Sequence, residues 1–85
     1  MVNETGKHKG TDYRVEELID GKTRLTRRSP FSGRLSEMTF DIPASRFLAY
    51  YGGADLIQNI FPDLDSDLRE FVMTGILPSE WPEEL

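Results

Sequence analysis

The densest run of chemistry-bearing residues is Asp63-Leu64-Asp65-Ser66-Asp67, whose alternating carboxylates match the opening of a calcium-binding loop. In such a loop the acids turn inward onto the cation, a glycine makes the sharp turn and a bidentate glutamate closes the site. Here the glycine position falls on Leu68 and the closing position on Thr74. The run therefore reads as capping and first-turn charge for a helix, whose N-terminus favours carboxylates. Ser, Asp and His8 all occur, but a single histidine in a Gly/Lys-rich stretch has no scaffold to orient it in a triad. Gly52-Gly53 is followed by no Gly-Lys-Ser/Thr element and makes no phosphate loop. Arg27-Arg28-Ser29-Pro30 has the form of a kinase site, a pattern that two arginines beside a turn serine often produce by chance. The chain has no cysteine, which removes disulfides, thiolate metal sites and cysteine nucleophiles. The expectation is a protein that is not an enzyme and uses no cofactor.

Binding chemistry is better represented. Residues 1–34 carry eight cations against five carboxylates, a net of +3, whereas residues 35–85 carry two cations against ten carboxylates, a net of −8. Such a split bears on partners and encounter rates rather than on fold. The acidic residues Asp55, Asp63, Asp65, Asp67, Glu70, Glu80, Glu83 and Glu84 could form a surface that captures a basic region on another protein. Phe31 and Trp81 are possible anchors, being large rigid side chains of the kind that become interface hot spots. The alternative is nucleic-acid contact through Lys22, Arg24, Arg27, Arg28 and Arg34, set against an overall charge of −5 that would repel a polyanion. A solvated face, or pairing with the chain's own carboxylates, accounts for the same basic residues.

The elements that must position these residues follow from turn signals and alternation. With 85 residues the chain is one domain, able to bury roughly 60% of its unfolded surface but not to enclose a large pocket. Met1–Thr11 has only Val2 as a sizeable apolar residue after Met1 and reads as a flexible arm. Residues 12–77 read as the domain and 78–85 as an acidic tail containing Pro and Trp. Asp20-Gly21 between two strand-like runs predicts a hairpin with a type I′ turn, and Ser29–Gly33 predicts a second turn. A third strand spans Arg34–Ile42. Pairing Ile19 with Lys22 and Ser29 with Arg34 sets Leu25 opposite Met38, Thr23 opposite Phe40 and Leu18, and Glu17 opposite Arg24. Lys22, Arg24 and Arg28 then share the other face. Pro43 opens a helix that Gly52-Gly53 stops, a short helix follows at 54–61, and a third at 68–74 ends at Gly75. The fold class is thus α+β, a three-stranded antiparallel meander followed by two or three short helices packed on one face.

The order Ser29-Pro30-Phe31-Ser32-Gly33, Gly53, Leu56-Ile57-Gln58, Phe61-Pro62, Arg69-Glu70-Phe71, Thr74-Gly75-Ile76 and Glu80-Trp81 resembles small uncharacterised proteins of bacteriophages and related mobile elements. The resemblance spans roughly residues 27–82 and finds no counterpart for Met1–Ile19. It brings no activity or site residues. It implies a setting in which small acidic proteins bind and redirect host proteins, so the leading expectation is a module that modulates or inhibits a host protein bearing a basic surface. An accessory nucleic-acid binder and a virion or assembly component are the alternatives. No stretch approaches the roughly 20 apolar residues of a membrane span, and the cytoplasm is the expected location, that of the bacterial host if the chain is phage-encoded.

Overall fold

A computed structural model, described over residues 1–80, folds in the order β1 (Asn3–His8), β2 (Thr11–Glu17), β3 (Thr23–Arg28), β4 (Leu35–Phe40), α1 (Ala44–Tyr51), α2 (Ile57–Ile60), α3 (Ser66–Thr74) and a 3₁₀ turn at Pro78–Glu80. The strands form one antiparallel sheet in the order β1-β2-β3-β4, and the three helices supply the α part of an α+β domain. The α1 helix packs against β2 and α3 against β3. Between sheet and helices lie Val15, Leu25, Phe40, Phe47, Phe61, Phe71 and Val72, all buried.

The sheet has four strands where three were expected, because the segment expected to be a flexible arm is an edge strand. A two-residue turn at Lys9-Gly10, with Lys9 itself at φ 52°, folds β1 back so that His8 pairs with Thr11 and Asn3 with Glu16. Nothing apolar within β1 holds it there. Its anchors are the backbone ladder, continued by the Glu17 amide donating to the Val2 carbonyl at 2.8 Å, and a fit between strands: a Cβ on Gly6 would stand 2.7 Å from the Tyr13 hydroxyl. The Tyr13 ring lies across that gap and stacks on Tyr51 with centroids 4.1 Å apart.

The first turn also corrects the register. Gly21 takes positive φ but Asp20 does not, and the Leu18 amide donates to the Lys22 carbonyl across three residues instead of two. This is a turn closed by a glycine bulge, not a type I′ turn. The one-residue difference exchanges the faces of β2. Val15 and Tyr13 point to the helices, Glu17 pairs with Thr23, and Glu16 rather than Glu17 stands opposite Arg24. The second turn and third strand agree with expectation: Leu25 pairs with Met38 and Thr23 with Phe40.

The helices begin and end where the chain supplies caps. The Asp65 carboxylate accepts from the Leu68 amide at 2.9 Å and starts α3. Gly75, at φ 83°, ends it. The α2 helix is a single turn, shorter than the expected 54–61, since Pro62 stops it and Ala54 and Asp55 precede it.

Candidate functional site

The sheet face turned away from the helices is a grid of charges. Alternation places Asn3, Glu16, Arg24 and Thr39 in one row across the strands, then Thr5, Arg14, Thr26 and Glu37, then Lys7, Asp12, Arg28 and Leu35. Three of the cations on it, Arg14, Arg24 and Arg28, meet the protein's own anions, and Lys7 enters no ion pair among the described residues. Arg24 donates to both Glu16 carboxylate oxygens at 3.2 and 3.1 Å, which holds the Glu16 carboxyl below its usual range. Arg28 donates to Asp12 at 3.1 Å and to the Gly33 carbonyl at 2.6 Å.

Arg27, expected among the nucleic-acid contacts, is fully buried. It shares the helix-facing side of β3 with Thr23 and Leu25 and cannot touch a polyanion. Its guanidinium donates to the Val72 carbonyl and to the His8 carbonyl, each at 3.0 Å, to the Thr11 carbonyl at 3.5 Å, and to the Thr11 hydroxyl. It also lies 5.5 Å from the centre of the Tyr51 ring. Its Nε is the buried side-chain atom without a partner among the described residues. Lys22 and Arg34 sit in turns at opposite ends of the sheet. The five basic positions therefore do not converge.

His8, closing β1, is held where an arm would have left it free. Its Nε2 lies 2.8 Å from the Tyr50 hydroxyl, and its ring packs edge-on against Tyr50 and Tyr51. Burial, then the charges of Arg27 and Lys9, push its pKa below the ordinary 6.5. The folded state thus binds fewer protons than the unfolded state between the two pKa values. The stability contributed by neutral His8 is complete above 6.5 and is lost as pH falls from there through the folded-state pKa. Thermal unfolding followed from about pH 7.5 to about pH 5.5 should show a falling Tm in the native chain and a flatter profile in His8→Asn. Equal slopes would refute this role.

The acidic positions divide by whether the fold already uses them. Asp63 is tied to Arg46 at 2.8 Å, and that hydrogen bond lowers its pKa. Asp55 accepts from the Asn59 amide group and the Leu56 backbone amide, which lower its pKa in that order. Asp65 caps α3. Glu80 accepts from the Leu77 amide and the Ser32 hydroxyl, and its pKa is lowered by the first and then the second. Asp67 and Glu70, on α3, enter neither an ion pair nor a side-chain hydrogen bond through their carboxylates among the described residues. The other cation of this half, Arg69, is spent on the carbonyls of Phe61 and Pro62. The helical layer consequently displays Asp55, Asp65, Asp67 and Glu70 without a cation within ion-pair distance among the described residues. Glu83, Glu84 and Trp81 lie outside those residues.

Phe31 is 64% exposed on a turn that its neighbours fix. The Ser29 hydroxyl accepts from the amides of Phe31 and Ser32, the Gly33 amide donates to the Ser29 carbonyl, and Arg28 holds the Gly33 carbonyl. Leu56, 60% exposed beside Asp55, borders a shallow depression of about 330 Å³ with His8, Tyr50, Ile57 and Met73. Sequence reasoning passed over Leu56, whose signal was an apolar residue just ahead of a one-turn helix. No group of three or more His, Asp or Glu among the described residues is arranged to hold a metal ion, and no described helix is long and apolar enough to cross a membrane. Compared with family models, with curated proteins and with solved structures, the chain matches none.

Proposed function

We propose that this chain is a non-enzymatic interaction module whose acidic helical side docks on a basic surface of another protein. The observation that supports this reading is the unequal use of charge: the cations of the sheet are largely consumed within the fold, while carboxylates of the helical layer remain unpaired. Unpaired carboxylates on one side of a small domain accelerate encounter with a basic partner and make its affinity salt-sensitive. Leu56 and the rigid Phe31 turn add apolar contact that charge alone does not provide. The resemblance of its motif order to small bacteriophage and mobile-element proteins makes a host protein the proposed partner, with modulation or inhibition as the proposed outcome.

Asp67 and Glu70 allow a clean test, because neutralising them removes no cap or ion pair. Immobilised protein is expected to retain one host protein at low salt. Asp67→Asn with Glu70→Gln should weaken that retention about tenfold, and raised salt should do the same. A control on the sheet side, Glu37→Gln, should retain the partner unchanged. Undiminished retention by the helix variant, or loss in the control alone, would overturn the proposal. Binding of generic duplex DNA that Arg34→Ala abolishes would favour the alternative.

A further inference from the structure

The depression of about 330 Å³ beside Leu56 combines an apolar floor with a carboxylate fixed at its rim. Its walls come from Tyr50 of α1, Ile57 of α2 and Met73 of α3, and from His8, whose Nε2 lies 2.8 Å from the Tyr50 hydroxyl. Leu56 is 60% exposed there, an apolar side chain that the core does not use. Asp55 stands next to it. Both of the hydrogen bonds that its carboxylate accepts, from the Leu56 amide at 2.7 Å and from the Asn59 amide group at 3.0 Å, fall on Oδ1. The carboxylate is thereby oriented, and its Oδ2 has no hydrogen-bond partner among the described residues.

The charges around the depression indicate what fits it. Glu70 lies three positions before Met73 on α3, so the two share a face, and it enters no ion pair among the described residues. Its charge reaches the pocket wall: burial raises the Tyr50 pKa, Arg27 lowers it and Glu70 raises it again. Lys9 also lines the depression, but it is not within ion-pair distance of either carboxylate. Two carboxylates against one ammonium leave a net negative site over apolar side chains. A cation on an apolar stem satisfies both, since the methylenes of a long basic side chain lie on apolar surface while its head stays polar. Oδ1 is already occupied, so a forked guanidinium would find one oxygen where it matches two, whereas an ammonium is a point charge that needs only one. We propose that this depression receives a lysine side chain of the partner protein, its methylenes against Leu56, Ile57 and Met73 and its ammonium on Asp55 Oδ2. The proposal rests on the reading of the acidic helical side as a docking surface, and gives that surface a lysine subsite beside the β1–β2 turn.

N-acetyl-lysine N-methylamide, titrated to about 50 mM at fixed ionic strength and followed by amide-resolved NMR, probes the subsite without the partner. Saturable shifts are expected at the amides of His8, Leu56, Ile57 and Met73. Asp55→Asn keeps an Oδ1 acceptor for Leu56 and Asn59 and should weaken the probe about fivefold. Lys9→Gln removes a like charge and should tighten it about twofold. The norleucine probe, which has the stem without the cation, and the arginine probe should each bind about fivefold more weakly than the lysine probe. Shifts that do not saturate or that lie elsewhere, a norleucine probe that binds as well, or Asp55→Asn that binds as tightly as wild type would each overturn the proposal. Retention of the host protein separates this subsite from the docking surface. If Asp67→Asn with Glu70→Gln weakens retention and Asp55→Asn with Leu56→Ser leaves it unchanged, the lysine subsite is overturned and the docking surface stands. A wild-type chain that binds the lysine probe as expected yet retains no host protein would support the ammonium site and overturn the docking surface.

Discussion

Arg27→Ala should be the most damaging single substitution on the sheet, lowering Tm by about 15 °C or more, and it should abolish folding if the domain is marginal. The side chain is fully buried and joins the β1–β2 turn, β3, α1 and α3 through the His8 and Thr11 carbonyls, the Val72 carbonyl and the Tyr51 ring. Its truncation leaves a cavity, which for large core side chains costs about 2–5 kcal/mol. It also removes the guanidinium hydrogen bonds to the His8 and Thr11 carbonyls, worth about 1.5–3 kcal/mol where the donor is charged, although the Thr11 hydroxyl still donates to the His8 carbonyl at 3.4 Å. The Val72 carbonyl is spared, because the Tyr51 hydroxyl still donates to it at 2.7 Å. Burial raises the pKa of that phenol, so it remains a donor across the accessible range. A domain of this length has about 4–13 kcal/mol of stability in all, and each kcal/mol moves Tm by about 4–8 °C. Arg27→Lys should be damaging too, since an ammonium offers three donors from one point and cannot span acceptors on separate elements. Thermal unfolding by circular dichroism reads both variants. A Tm within about 2 °C of wild type for Arg27→Ala would show that water or a neighbouring hydroxyl replaces the guanidinium.

The same residue shows what was and was not legible in the sequence. Alternation along Thr23, Leu25 and Arg27 already placed the arginine on the helix-facing side, because Leu25 had to be buried opposite Met38. The usual exposure of arginine argued the other way and was wrong here. Three of its acceptors are backbone carbonyls, which leave no mark in the choice of residue types. The β1 strand was hidden for a similar reason: its partners are a backbone ladder, a glycine that clears space for Tyr13 and a histidine that reaches Tyr50. None of these is an apolar alternation within Asn3–His8. The start of α1 and the end of α3 were legible because they rest on Pro43 and Gly75, residues whose local chemistry acts without tertiary help, whereas α3 starts at Ser66, two residues before the expected 68, because Asp65 is the carboxylate of its run that caps it. The candidate site was legible as a charge asymmetry. Its division into occupied and free carboxylates was not, since it depends on distant Arg46, Asn59 and Ser32.

That division alters the meaning of the charge split at Arg34. In sequence it separates a basic first segment, residues 1–34, from an acidic remainder, suggesting a domain with two opposed poles. In space the basic part is a near-balanced grid, with Glu16 and Asp12 set among Arg14, Arg24 and Arg28. The acidic part has two arginines, and both are engaged, one with Asp63 and the Ile60 carbonyl and the other with the Phe61 and Pro62 carbonyls. The exposed cations left without an ion pair among the described residues, Lys7, Lys9, Lys22 and Arg34, are scattered over β1 and three turns, whereas unpaired carboxylates share the helical layer, which favours recognition of a cationic surface over recognition of a polyanion.

Gly75→Ala should lower Tm by about 10 °C or more, and its effect should overlap with that of Arg27→Ala instead of adding to it. Gly75 ends α3 at φ 83°, where an L side chain costs about 1–2 kcal/mol. A Cβ there would also stand 2.5 Å from the Arg28 carbonyl oxygen, 3.0 Å from its carbon and 3.1 Å from the Arg27 Cβ. That obstacle is strand backbone, so α3 must lift from β3, and overpacking of this kind costs about 1–3 kcal/mol. Gly75→Asn separates the two contributions, because asparagine tolerates the left-handed region but carries the same Cβ. If the clash dominates, Asn and Ala destabilise alike. Lifting α3 also moves the Val72 carbonyl away from the Arg27 guanidinium, 3.0 Å apart in the native fold. A chain carrying both substitutions has already lost that contact through either one, and the double-mutant cycle should show a coupling of about 1 kcal/mol or more. Additivity within about 0.5 kcal/mol would mean that the helix end and the buried arginine stabilise the domain independently. Coupling would mean that the seating of α3, and with it the position of Asp67 and Glu70, is set by a cation inside the sheet.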